Sequence, residues 1–285
     1  MPHEPPVVSP RTLPEAYALL ASAPHRPVAG GTDLLVQITG ELGEPPERVL
    51  DIWHLDELRG IRVESHALVI GALTTYAEIR RSAAVAEYLP VLAEAAATIG
   101  AAQIQNRGTI GGNAANASPA GDMLPLLLAC DAQFEVGSAQ GQRWVSVGEF
   151  WPAYRTTVLA PDELLTAVRI PLAPDRHVRF RKIGTRRAQA ISKVVMALSW
   201  RAGTGAVEWR DVHLALGSVA PTPIRASLTE ATLDGSAPTE TTADRAASTL
   251  ASELRPIDDV RSSADYRRAV AARVLHRLIR DEGGW

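Results

Sequence analysis

The sequence contains a single cysteine, Cys130. A disulfide within the chain is therefore impossible, and one thiolate cannot hold an iron–sulfur cluster, which normally needs four ligands. Because Cys130 lies in the apolar segment LPLLLACDA, we predict that its thiol is buried. The seven histidines form no HxxxH pair, and we assign no metal site to the chain.

Long apolar runs and an excess of one charge are also missing. No uncharged apolar stretch reaches about 18 residues, and the opening segment MPHEPPVVSP lacks a basic start followed by an apolar run. We therefore predict no membrane span and a cytoplasmic location. The 29 basic residues nearly balance the 32 acidic residues. Neither nucleic acid nor an anionic membrane is an expected partner, which leaves small molecules and other proteins.

Capping signals and hydrophobic patterns predict a mixed fold of helices and strands. Thr12 with Glu15 predicts a helix to about Ala21, and Thr75 with Glu78 predicts one towards Ser82. Further helices are predicted at residues 89–99, 123–130, 243–254 and 264–280. Strands are predicted at residues 49–53, 67–75, 133–137, 143–147, 163–170 and 212–219. In the last helix one apolar stripe is expected, formed by Tyr266, Val270, Val274, Leu275 and Leu278.

Two glycine pairs mark candidate binding loops, in AGGTDLL at residues 29–35 and in TIGGN at residues 109–113. Glycine reaches positive φ and lets consecutive amides converge on an anion. A lone Gly-Gly turn is more often only a turn, but two such loops favour a dinucleotide-like ligand. The second pair lies in residues 101–122, which have no sustained periodicity and predict a long loop. The P-loop and Rossmann fingerprints are both missing.

These loops resemble the two hallmark loops of the flavin subunits of molybdenum hydroxylases, which include xanthine dehydrogenase and carbon monoxide dehydrogenase. The resemblance extends to VIGALTTYAEI, AAATIGAAQIQNRG and FRKIGTRRAQAISKV, and so covers nearly the whole chain in order. It implies an α+β fold with a two-lobed FAD-binding domain of the PCMH type at residues 1–172, with lobes at about 1–57 and 58–172. A C-terminal α+β domain of the CO dehydrogenase flavoprotein type would follow at residues 176–285.

The resemblance also implies which residues hold a non-covalently bound FAD. The first loop would wrap the pyrophosphate with Pro27, Val28, Ala29, Gly30, Gly31, Thr32, Asp33, Leu34 and Leu35. The second side of the cofactor would be lined by Thr109, Gly112, Asn113, Asn116, Ser118 and Asp122. Leu164 would make an apolar contact, although it could equally be a strand core residue. Lys182 would face a cofactor carbonyl, although it could belong to a solvated basic face. The lone aromatics Tyr76, Trp151 and Tyr154 are interpreted as packing residues.

The function implied by the resemblance is that of an oxidoreductase subunit without a catalytic residue of its own. It would take electrons from the 2Fe-2S clusters of a small iron–sulfur subunit and pass them to NAD or another acceptor. A large molybdopterin subunit would carry the molybdenum cofactor and oxidise the substrate, with purines as the first expectation before N-heterocycles and carbon monoxide. Two alternatives stay open: a stand-alone flavin reductase of the same fold, and a non-catalytic assembly protein with a degenerate flavin site.

Overall fold

The computed structural model describes residues 5–40, 44–186, 189–202 and 208–285. In these ranges the chain forms three β-sheets that pack against helices, so the predicted α+β class is confirmed. The segment FRKIGTRRAQAISKV is described except for residues 187 and 188. No helix within these ranges is long and apolar enough to cross a membrane. The same ranges contain no cluster of three side chains able to hold a metal ion.

The first sheet has three parallel strands. In spatial order they are β1 (Val7–Val8), β3 (Val49–Asp51) and β2 (Arg26–Val28). The helices of this unit are α1 (Leu13–Ser22) and α2 (Leu34–Thr39). Helix α1 begins where its capping residues predict, since the Thr12 hydroxyl accepts a hydrogen bond from the Glu15 amide at 3.3 Å. Its buried face packs with Leu50 and Leu58 in a small core of its own.

The second sheet has five strands, and every neighbouring pair is antiparallel. In spatial order the strands are β4 (Ile61–Glu64), β5 (Ala67–Gly71), β8 (Leu164–Pro171), β6 (Gln133–Ser138) and β7 (Gly141–Ser146). Strand β8 therefore pairs with β5 and β6, although about thirty residues separate it from β6 along the chain. This late strand brings Leu164 beside residues from the first half of the chain.

Six short helices connect β5 to β6. They are α3 (Tyr76–Arg81), α4 (Ala83–Tyr88), α5 (Pro90–Ala97), α6 (Ala102–Gln105), α7 (Ile110–Asn116) and α8 (Leu124–Ala129). The prediction of a long loop at residues 101–122 is therefore wrong in part, because α6 and α7 lie inside it. Each of them has two turns or fewer, which is too short for a hydrophobic period to be read from the sequence.

The third sheet has four antiparallel strands. In spatial order they are β12 (Ile224–Arg225), β11 (Trp209–Gly217), β10 (Val194–Ala202) and β9 (Arg176–Ile183). The helices that follow are α9 (Ser227–Leu233), α10 (Glu240–Glu253) and α11 (Ala264–Gly283). Two 3₁₀ turns, Asp56–Leu58 and Val147–Glu149, complete the regular elements of the described ranges.

The two faces of the third sheet pack into different cores because side chains alternate along a strand. On β10, Met196 and Leu198 point into a core shared with α10 and α11. Val195 and Ala197 belong instead to the large core that contains α5, α8 and the five-stranded sheet. The hydroxyl of Ser199 donates a hydrogen bond to the Ala129 carbonyl at the end of α8, at 2.7 Å. The third sheet is thus packed firmly against the middle of the chain.

Helix α3 provides a test of the predicted capping box. The Thr75 hydroxyl accepts from the Glu78 amide at 3.2 Å, and the Glu78 carboxylate accepts from the Thr75 amide at 2.7 Å. Thr75→Ala removes the first bond and should lower the free energy of unfolding by about 1 kcal/mol in urea titration. Ser248→Ala, at an exposed position inside α10, is the control and should change it by less than about 0.5 kcal/mol. Equal effects of the two variants would contradict a role for the cap.

Candidate functional site

A cleft of about 470 Å³ lies between the first sheet, helix α7 and the start of β8. This volume falls in the range of small-molecule and cofactor sites. One side is formed by the end of β2 and the residues that follow it to the start of α2. The opposite side is formed by α7 and by the segment 157–165. Both glycine motifs therefore face one cleft.

The first glycine motif presents a run of unused backbone amides. No described backbone or side-chain acceptor receives a hydrogen bond from the amides of residues 30–34, all of which line the cleft. The first amide to be used again is that of Leu35, which donates to the Gly31 carbonyl at 3.0 Å as α2 begins. Gly31 has φ of +75°, so the chain turns here in a conformation that favours glycine. Several neighbouring free amides form a site suited to an anion.

The second glycine motif does not repeat this arrangement, contrary to our expectation. Its residues form the first turn of α7, and their amides already have acceptors within the protein. Gly111 N donates to Ala72 O at 2.9 Å, Gly112 N to Thr109 Oγ1 at 3.0 Å, and Asn113 N to Thr109 O at 3.0 Å. A Cβ on Gly111 would lie 2.5 Å from the Cβ of Ala72. These glycines thus allow α7 to pack closely, and its contribution to a ligand comes from side chains.

Two buried oxygen atoms at this side of the cleft have no hydrogen-bond donor in the described structure. They are Oδ1 of Asn113 and Oδ1 of Asp122, both in residues that line the cleft. Buried polar atoms are nearly always satisfied, so unpaired ones in a cleft indicate a missing donor such as a ligand hydroxyl. Asn116 spans the cleft instead, and its Nδ2 donates to Oδ1 of Asp33 at 3.0 Å.

Asp122 forms a buried ion pair with Lys182. The Nζ of Lys182 lies 2.6 Å from Oδ2 of Asp122 and 2.9 Å from the carbonyl oxygen of Thr98. Burial raises the pKa of the Asp122 carboxyl, and the Lys182 ammonium opposes this by favouring the carboxylate. Because Lys182 lies on β9, the third sheet acts on the cleft through Asp122, which lines it.

Tyr76 lies in the cleft between its acidic residues. Burial raises the pKa of Tyr76 well above its ordinary value, and the carboxylates of Asp122 and Asp33 raise it further. The phenol is therefore a neutral hydroxyl at every physiological pH. Burial also raises the pKa of Asp33, while the positive charge of Arg155 acts in the opposite direction.

Most of the residues predicted for the site line the cleft. Three of the predicted residues do not: Leu35 is 57% exposed on α2, Ser118 accepts the Ala120 amide at 3.3 Å, and Lys182 acts through Asp122. The predicted residues that line it are Pro27, Val28, Ala29, Gly30, Gly31, Thr32, Asp33, Leu34, Thr109, Gly112, Asn113, Asn116, Asp122 and Leu164. Their individual roles towards a cofactor stay predictions.

Tyr76 and the segment 157–163 are among the lining residues that the sequence did not predict for the site. The interpretation of Tyr76 as a packing residue is confirmed, since it belongs to the large core, but the same side chain also lines the cleft. The segment 157–163 contains no sequence motif, and its contribution to the cleft is visible only in the structure. This segment is held by Arg143, whose Nε and Nη2 lie 2.9 and 2.8 Å from the Glu163 carboxylate. The same carboxylate accepts the Ala160 amide at 2.8 Å.

These features fit FAD. A run of free amides suits a diphosphate, and the two unpaired oxygens suit hydroxyl groups of a ribityl chain or a ribose. Apolar lining residues such as Ile99, Ile104 and Leu164 suit a ring system. The one thiol, Cys130, lies in the large core rather than in the cleft, and burial raises its pKa to about 12.

Comparison with known proteins agrees with this fit. The family described as the FAD binding domain in molybdopterin dehydrogenase matches residues 3–173, and the CO dehydrogenase flavoprotein C-terminal domain matches residues 179–281. The carbon monoxide dehydrogenase medium chain of Afipia carboxidovorans is 34% identical over 277 residues, which are 95% of this chain and 93% of the relative. The xanthine dehydrogenase FAD-binding subunit of Escherichia coli O157:H7 is 31% identical over 281 residues, with 96% and 95% covered.

Solved structures give the same result. The chain is similar to one in the carbon monoxide dehydrogenase from Hydrogenophaga pseudoflava that lacks the Mo-pyranopterin moiety, with a TM-score of 0.92 and 32% identity. The match covers 97% of this chain and 96% of that chain. The similarity thus extends over nearly the whole chain, and the chain belongs to the family of FAD-binding medium subunits of the molybdenum hydroxylases.

Proposed function

We propose that this chain binds FAD in the cleft and transfers electrons from an iron–sulfur subunit to a final acceptor. The amides of residues 30–34 would hold the pyrophosphate, and the oxygens of Asn113 and Asp122 would accept hydrogen bonds from cofactor hydroxyls. The observation that carries the proposal is the run of free amides. Backbone N–H groups are normally paired within a protein, so a run of unpaired ones in a cleft indicates an anionic ligand.

The chain's own groups prepare the cleft for a flavin. When bound, FAD supplies the ability to accept and release electrons singly or in pairs. The buried Lys182 ammonium would hold Asp122 as a carboxylate, whose free Oδ1 faces the cleft and could accept a hydrogen bond from the cofactor. Tyr76 stays protonated because of the raised pKa of its phenol, and can only act as a neutral hydrogen-bond donor or acceptor. None of these residues has to react covalently.

The partners follow from the names of the relatives. Two of these relatives are a medium chain of carbon monoxide dehydrogenase and a FAD-binding subunit of xanthine dehydrogenase. We infer that a small iron–sulfur subunit with 2Fe-2S clusters delivers the electrons and that a large molybdopterin subunit oxidises the organic substrate. The single buried cysteine supports this division, because this chain cannot supply the thiolates of a cluster. NAD is the acceptor that we propose first.

We also propose that the chain is divided into two structural units. Residues 1–172 would form the FAD-binding domain, with lobes at about 1–57 and 58–172, and residues 176–285 would form the C-terminal domain. The ion pair of Asp122 and Lys182 supports a shared role, since it joins a residue of the first unit to one of the second. The C-terminal unit would then set the charge at one end of the cofactor site.

The first test is the visible spectrum of the purified chain before and after acid precipitation, with the released cofactor identified by chromatography. We expect FAD in roughly one-to-one ratio to the chain, released intact by acid because no covalent bond holds it. A colourless chain that takes up no added FAD would overturn the proposal and favour the non-catalytic assembly protein.

A second measurement concerns the acceptor. Anaerobic NADH should reduce the bound flavin, seen as bleaching of its visible absorbance, if NAD exchanges electrons with this chain. Failure of NADH, with reduction by dithionite intact, would exclude NAD and direct the search to oxygen or a quinone. Reoxidation of the reduced flavin by an organic substrate, which is itself reduced by the isolated chain, would instead favour the stand-alone flavin reductase.

A further inference from the structure

A stack of three side chains lies behind the first glycine motif. The guanidinium carbon of Arg107 is 3.8 Å from the centroid of the Trp53 ring, and that of Arg59 is 4.4 Å from it. Arg59 is fixed in turn, since it donates to the Trp53 carbonyl at 2.6 Å and to the Leu73 carbonyl at 3.1 Å. None of the three residues lines the cleft. Arg107 and Trp53 come from different parts of the fold, one before α7 and the other after β3.

This stack holds the point where the two glycine motifs touch. A Cβ on Gly30 would lie 1.7 Å from the carbonyl oxygen of Arg107, so the two backbones are already in contact. The Arg107 side chain lies on the same side, with Nε 3.5 Å from the Gly30 carbonyl oxygen. On the far side, Gly108 accepts the Tyr76 amide at 3.2 Å and its Cα packs against the Tyr76 ring.

The stack is the main restraint on the Arg107 side chain. Among the described residues no carboxylate forms an ion pair with it, and its polar contact to Gly30 is long. An arginine stacked on a tryptophan face is held by the attraction between its charge and the ring, and the position of this side chain restrains the backbone to which it belongs. A small shift of this backbone would move the whole run of amides at residues 30–34 relative to Asn113 and Asp122.

We propose that Trp53 and Arg107 are positioning residues for the cofactor, which set the distance between the amide run and the opposite side of the cleft. This inference rests on the proposed function, because it concerns the affinity for FAD. It assigns a role to two residues that do not line the cleft themselves. The part of the ligand affected is the diphosphate, since the amides next to Gly30 are the groups that move.

The test compares affinities of the full chain after removal of its flavin. Arg107→Leu and Trp53→Leu should each raise the Kd for FAD by about tenfold, the loss expected for a cation–π contact of this size. The double variant should be no weaker than either single variant, because both remove the same contact. Trp53→Phe keeps an aromatic face and should recover most of the affinity. ADP, which carries the diphosphate without a flavin, should lose affinity in parallel as a competitor.

Trp144→Leu is the matched control. Trp144 is 41% exposed on β7, lies outside the cleft, and has Arg169 over its ring at 5.6 Å. The Trp144→Leu variant should bind FAD with the same affinity as the wild type. Arg107→Leu changes an exposed residue, so the chain should fold even if Trp53→Leu does not.

The outcomes separate the inference from the proposed function. Unchanged FAD and ADP affinity in Arg107→Leu would overturn the inference, as would additive losses in the double variant or a loss of affinity that merely follows a fall in the thermal unfolding temperature. Wild-type chain that binds no FAD would instead overturn the proposed function.

Discussion

Gly30→Ala should weaken FAD binding by about a hundredfold while the chain remains folded. The new methyl carbon would meet the carbonyl oxygen of Arg107 at 1.7 Å, where ordinary contacts need at least 3.4 Å. The obstacle is backbone, which cannot rotate away, so the two glycine motifs must separate. Overpacking of this kind costs up to about 3 kcal/mol, and a loss of that size in binding corresponds to about a hundredfold in Kd. The measurement is a titration of flavin-free chain with FAD.

Gly148→Ala is the control for this substitution. Its new methyl carbon would find its nearest neighbours at 3.8 and 3.9 Å, and its backbone needs no positive φ. FAD affinity should therefore be unchanged. If Gly30→Ala bound FAD as tightly as Gly148→Ala, the contact between the two motifs would have no part in the cofactor site, and the proposed positioning role of Arg107 would fail with it.

Lys182→Met should lower the free energy of unfolding at pH 7 by about 3 kcal/mol, the largest stability effect that we expect from a single substitution here. The Asp122 carboxylate would lose both its partner charge and a hydrogen bond while it stays buried. The Thr98 carbonyl would lose its donor as well. Methionine fills a similar volume, so the loss is electrostatic rather than a cavity effect. Urea denaturation of the flavin-free chain measures it.

The defect of Lys182→Met should shrink as the pH falls. Burial already raises the pKa of Asp122 above its unfolded value, and removal of Lys182 raises this pKa further. Between the unfolded pKa and the raised folded pKa, the native chain binds more protons than the unfolded chain. Stability in this window therefore falls as the pH rises and recovers as the pH is lowered. Tyr76, which faces Asp122, stays neutral throughout because its pKa is also raised.

The double variant Lys182→Met with Asp122→Asn checks this explanation. Without the buried charge, most of the lost stability should return, and the pH dependence should disappear. A double variant as unstable as Lys182→Met at pH 7 would mean that the packing of the lysine chain, rather than its charge, stabilises the floor of the cleft.

Local signals in the sequence predicted local structure well. The capping residues Thr12 and Thr75 start helices where predicted, because a side-chain hydroxyl that satisfies a free amide acts over three residues only. The glycine pair at Gly30 and Gly31 also produces the turn and the free amides that its sequence predicts. These features depend on neighbours in the chain and need no tertiary contact.

The predicted apolar stripe of α11 is confirmed at Val270, Val274, Leu275 and Leu278, which pack into the core on that side of the third sheet, and is wrong at its first residue. Tyr266 is 41% exposed, whereas its neighbour Arg267 is 4% exposed. A buried arginine contradicts the hydrophobic pattern, but here it donates to the Asp259 carboxylate at 2.7 Å and also bonds the Ser218 carbonyl. The two partners, Asp259 and Ser218, are far apart in the sequence. The polar partners that make this burial possible exist only after folding.

The sequence by itself determined the family, the α+β class, the two glycine motifs and a set of candidate site residues, most of which line the cleft. It could do so because glycine pairs, capping residues and apolar periods are local properties of the chain. Only the tertiary structure decided that the Gly111 amide is used by Ala72 of another segment, whereas the Gly112 and Asn113 amides are used locally by Thr109. Only the fold brings Lys182 from the third sheet to Asp122, and Arg107 from the connection between β5 and β6 onto Trp53. Contacts between residues far apart in sequence depend on how the sheets pack, and no local pattern records them.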